Sequence, residues 1–139
     1  FLNDHPALPD GPVGTYQEVI AALIRAGARE SGCMMNVVTG DVDRGPAVSF
    51  CRYGIRDAAN EALWAALPSA EAAAMDLEAI MATPLYADIR ARGVARERPF
   101  LVETLRAVAE GRLAVPPPAP LDLTEAVEAA LAAAGPAVY

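Results

Sequence analysis

Two runs of strand-forming residues, CMMNVVT at 33–39 and AVSFCRYG at 47–54, are separated only by the seven residues GDVDRGP. No other feature constrains the fold of this chain as much. In the second run Val48, Phe50 and Arg52 alternate with Ala47, Ser49 and Cys51. That is the period of two expected of a pleated strand. Two such runs at this separation predict an antiparallel hairpin. The polar loop then lies at a strand end, where scaffolds commonly present functional groups.

Helices are expected around the hairpin. PALPDGPVG at 6–14 is rich in Pro and Gly and predicts a loop. Thr15 followed by Glu18 has the form of a capping box. Val19, Ile20, Leu23 and Ile24 then recur at helical spacing, which predicts a helix over 15–27 ended by Gly27. Beyond the second strand the pattern is helical: 57–67, 69–82, a short helix from Thr83-Pro84 to about 92, and a further segment after Pro99. Phe100, Leu101, Leu105 and Val108 give that last segment a buried face, and Gly111 stops it. PPPAP at 116–120 predicts a stiff linker between a main body, 1–115, and a tail, 121–139. The tail's Ala-rich helix over 122–134 has few large apolar groups, which predicts weak docking. The predicted fold class is α/β, with a β-hairpin and several helices.

Composition narrows the function. The net charge is -7 and the pI about 4.6. That argues against nucleic-acid and anionic-membrane partners, which select basic surface. No apolar run reaches the roughly 18 residues of a membrane span. Cys33 and Cys51 are too few for a disulfide framework and read as buried thiols of a reducing, cytoplasmic protein. No His/Cys cluster has metal-site spacing, so no metal is expected. Met34 and Met35 read as core fillers, as do Trp64 and Tyr86. Glu71, Asp76 and Glu78 read as a solvated helix face.

Three residues have a different character. Asn3 and His5 stand two apart in FLNDHP, so on an extended backbone they project to the same side. Asp43 lies in the hairpin loop. An amide donor, an imidazole and a carboxylate are the groups that acyl transfer to an amine requires. The donor stabilises a developing oxyanion. The imidazole moves a proton near neutral pH. The carboxylate orients the imidazole or holds a water. Taken singly, a histidine before a Pro loop is more often structural, and turn aspartates usually cap backbone.

Asn-x-His-Pro followed by a Pro-Gly loop, with Val38-Thr39-Gly40-Asp41-Val42-Asp43-Arg44-Gly45-Pro46 at this separation, resembles the glycinamide ribonucleotide formyltransferases. Glu30-Ser31-Gly32 and Ala109-Glu110-Gly111-Arg112-Leu113 are similar to the family as well. The likeness covers residues 1–55 well and 95–115 more loosely. It implies the C-terminal, folate-facing part of a Rossmann-like formyltransferase domain over 1–115, with the N-terminal sheet strands missing. It also implies that Asn3, His5 and Asp43 are catalytic and that Thr39, Gly40, Asp41 and Val42 hold the pterin end of 10-formyltetrahydrofolate. The implied reaction is formyl transfer from that co-substrate to the amine of glycinamide ribonucleotide, in purine synthesis. No Gly-rich phosphate loop follows a strand here, so the nucleotide phosphate site is expected outside this sequence. The stretch 57–94 is longer than the family's usual link. That leaves two alternatives open: a formyltransferase for another amine, such as a sugar nucleotide or an aminoacyl-tRNA, and a non-catalytic interaction module.

Overall fold

In the computed structural model, residues 1–41 and 44–135 are described. Four strands form one sheet in the order β1-β2-β3-β4: β1 Leu2–His5, β2 Glu30–Val37, β3 Ala47–Gly54 and β4 Leu121–Asp122. β1 and β3 both run antiparallel to β2, and β4 runs parallel to β3. The predicted hairpin is therefore the centre of the sheet. Its second strand has the predicted bounds. Its first starts at Glu30 and ends at Val37, shifted toward the N-terminus.

Among the described residues six helices complete the α/β fold: α1 Tyr16–Arg25, α2 Glu61–Ala66, α3 Ser69–Ala73, α4 Leu77–Met81, α5 Pro84–Ala109 and α6 Thr124–Ala134. α1 begins as its sequence predicts. Thr15 Oγ1 accepts from the Glu18 N–H at 3.3 Å, and a Glu18 carboxylate oxygen accepts from the Thr15 N–H at 2.8 Å. It ends at Gly27, whose φ of 62° lets its N–H and that of Ala28 return to the Ile24 and Leu23 carbonyls.

Three elements differ from expectation. The helix expected over 69–82 is two helices, because Asp76 takes an extended backbone and caps α4 by accepting from the Ala79 N–H at 2.8 Å. The two helices expected over 84–110 are one, with Pro99 inside it. The proline removes a single backbone donor. Buried side chains on both sides, Ile89 and Phe100 among them, hold the helix to the core. The tail is docked: β4 pairs with β3, Leu123 and Val127 are buried, and Arg96 ion-pairs with Glu128 at 2.7 Å. Most α6 alanines stay exposed or half-buried, so the helix is held by Leu123, Val127 and the ion pair rather than by a broad apolar face.

α5 crosses one face of the hairpin. Ser49 and Thr104, both fully buried, share a hydrogen bond of 2.9 Å there. Cys33 and Cys51 face each other on the same side and are fully buried. The core also takes Met35, Tyr53, Trp64 and Tyr86. Asn3, His5, Met34 and Phe50 lie on the opposite face. The 6–14 loop reaches that face, where Leu8 packs on Gly32.

Candidate functional site

β1 places two of the three predicted catalytic side chains together. Asn3 pairs with Asn36, and His5 with Met34. Directly opposed residues of an antiparallel pair share a face, so these four side chains form one cluster. His5 is buried, with 4% of its surface exposed. After it Pro6 turns the chain, and the Ala7 N–H returns to the His5 carbonyl at 2.9 Å. Asn3 is half-buried and donates from Nδ2 to Asn36 Oδ1 at 3.3 Å. Asn36 is 1% exposed.

The 38–46 loop is rooted beside this cluster. The Val38 N–H donates to the Phe1 carbonyl at 2.9 Å, and the Val37 N–H to the Pro46 carbonyl at 3.0 Å. Gly45 lies so close to β2 that any Cβ there would overlap the Val37 carbonyl. Thr39 Oγ1 donates to the Asp41 carbonyl at 3.1 Å, and the Arg44 N–H reaches the same oxygen at 3.4 Å. Of the predicted folate-binding residues, Thr39, Gly40 and Asp41 are exposed at the loop's start. Val42 and the third predicted catalytic residue, Asp43, lie outside the described residues. The chain on both sides of them is fixed at the end of the sheet where β1 begins. Val37 pairs with Leu2, so the loop's root lies about 10 Å along β1 from His5 at the usual rise per strand residue.

A cavity of about 540 Å³ opens on this face. Leu8 and Val13 of the 6–14 loop line it, as do Met34, Arg44, Pro46 and the proline run Pro117 to Pro120. Met34 is the cross-strand partner of His5, so the histidine lies on the cavity's side of the sheet. Pro116–Pro120, expected as a linker, thus forms part of a pocket wall. Arg44 is exposed to water and borders the same space.

Asp4 projects to the other face, toward α5. Burial of its carboxyl, and then the neighbouring Glu97, push its pKa up from 3.8 to about 6. On the same side the Cys33 thiol is pushed up by its hydrogen bond to Cys51 and by burial, which keeps it protonated. Among the described residues no group of three His, Cys, Asp or Glu side chains could hold a metal ion. No described helix is long and apolar enough to cross a membrane.

Asn36 is the member of this cluster that the motif reading passes over. Its signal is visible in the sequence, as an amide within the apolar run CMMNVV. Comparison with protein-family models, with curated proteins and with solved structures gave no match to this chain.

Proposed function

We propose that this chain carries the catalytic, folate-facing part of a Rossmann-like formyltransferase of the cytoplasm. The reaction moves the formyl group of 10-formyltetrahydrofolate to the amine of glycinamide ribonucleotide. The observation that carries the proposal is the pairing on β1: Asn3 and His5 on one face, beside the root of the loop that holds Asp43 and next to a cavity.

In this mechanism the acceptor amine attacks the formyl carbon. A C–N bond forms, and the carbonyl electron pair moves onto oxygen. Asn3 Nδ2 donates a hydrogen bond to that oxygen, an interaction that strengthens as charge develops. His5 transfers the proton that the amine loses to N10 of the folate as the C–N10 bond breaks. Asp43 orients the imidazole or the water beside it. The products are tetrahydrofolate and the formylated amine. Thr39, Gly40 and Asp41, exposed at the start of the loop, present backbone groups that suit the polar edge of a pterin. A cavity lined, among the described residues, by apolar side chains and the single charged side chain of Arg44 suits a flat, largely apolar ring system.

The test is amine-dependent release of tetrahydrofolate. His5→Ala lowers kcat at least about a hundredfold, the usual scale of general acid–base catalysis. An unchanged rate in that variant would remove His5 from the mechanism.

A further inference from the structure

We infer that Asn36 is a positioning residue for the Asn3 amide, an inference that deepens the proposed formyl transfer and rests on it. Three observations converge on Asn36. It is an amide 1% exposed in the middle of an apolar strand. Burying such a group is unfavourable unless its hydrogen bonds are made, and asparagine is a poor strand former. Its Oδ1 accepts from Asn3 Nδ2 at 3.3 Å, directly across the β1–β2 ladder. The β2–β3 register shifts between Met35 and Asn36: Met35 pairs with Ser49 and Asn36 with Ala47, which leaves Val48 as the extra residue. Such bulges re-aim side chains and are over-represented beside active sites.

An asparagine amide has a donor end and an acceptor end, and rotation about its last bond exchanges them. Asn36 Oδ1 attracts the Nδ2 end of Asn3 and repels its Oδ1 end. In the contact seen here Asn36 Oδ1 holds the Nδ2 end of Asn3 over β2. One Nδ2 hydrogen is held by Asn36, and the orientation of the other follows from amide planarity. In the proposed reaction that orientation sets where a donor meets the formyl oxygen. Asn36 touches no reacting atom; it acts through Asn3.

The experiment combines side-chain amide NMR with kinetics on Asn36→Leu, which removes the acceptor but keeps the heavy-atom branching, and Asn36→Asp, which retains one. In the unmodified protein one Asn3 Nδ2 proton exchanges slowly and is shifted downfield. In Asn36→Leu that signature disappears, and kcat falls about tenfold, part of the loss that follows removal of an oxyanion donor. KM for 10-formyltetrahydrofolate stays within about twofold, because the effect belongs to the transition state. Asn36→Asp retains the signature and most of the rate. Two equivalent, fast-exchanging Asn3 protons in the unmodified protein would overturn the inference, and they can be sought even where the leucine variant does not fold. So would a folded Asn36→Leu whose Asn3 signals and kcat are unchanged. Full formyl transfer by Asn3→Ala would instead sink the role given to Asn3, and the amide spectrum would still show whether Asn36 holds it.

Discussion

Gly45 shows how a single residue can shape the candidate site. Its neighbour Pro46 bonds back to Val37, and any Cβ at position 45 would overlap the Val37 carbonyl. Backbone cannot move aside as a flexible side chain can. Gly45→Ala is therefore expected to destabilise by about 2 kcal/mol and to displace the loop that carries Asp43; urea unfolding and formyl-transfer rates check both. Asp4 gives a pH signature. Its carboxyl has a pKa of about 6 in the fold against an ordinary 3.8, raised by burial and then by Glu97. A raised carboxyl favours the protonated form, so the fold is penalised while Asp4 is ionised. The penalty is complete above about pH 6 and is relieved as pH falls toward 4. It is small, because the residue retains contact with water that screens the charge. Asp4→Asn is expected to be more stable than the parent at pH 7 and equal to it near pH 4, measured by denaturant unfolding at both. At this scale Asn3 and His5 were legible because a two-residue spacing on a strand fixes a common face. The contact of Asn36 with Asn3 was not, because it depends on a cross-strand register that no local pattern encodes.

Helices and strands follow their local signals where those signals are strong. The capping box at Thr15 and Glu18 sets the start of α1. Thr15→Ala is expected to lower stability by about 1 kcal/mol, read from thermal or urea unfolding. The hairpin was legible for a related reason: alternation over 47–54 fixes which face of β3 is buried, and β2 must then match it. Local reading failed where packing overrode it. Pro99 marks a helix break by its missing N–H. Yet Ile89, Phe100 and Thr104 are all buried along α5, and their packing keeps the helix whole through the proline. Asp76 carried a cap signal in plain view, but the alanines around it made one continuous helix look simpler. The tail's scarcity of large apolar side chains hid its docking: Leu123 and Val127 are buried, and Thr124 Oγ1 accepts from the Arg52 N–H at 3.0 Å.

At the scale of the whole molecule, the sheet separates two environments. The face under α5 is dry core, with Cys33 and Cys51 wholly buried. Both thiols are expected to resist an aromatic disulfide reagent in the native protein and to react fully in denaturant; rapid native reaction would contradict this core. The other face carries Asn3, His5 and Asn36, with the 6–14 loop, residues 44–46 and the proline run around the cavity. The central hairpin and the α/β class could be read from the sequence, whereas the pairing of β4 with β3 could not. The convergence of three distant loops on one sheet face could not, because it depends on long-range packing. The account stands or falls on chemistry at that face. The most direct measurement is tetrahydrofolate release from 10-formyltetrahydrofolate, with and without glycinamide ribonucleotide, for the parent protein and His5→Ala. Release is expected only when the amine is present, with a loss of about a hundredfold or more in the variant. No release with any amine acceptor, or equal release by His5→Ala, would contradict it.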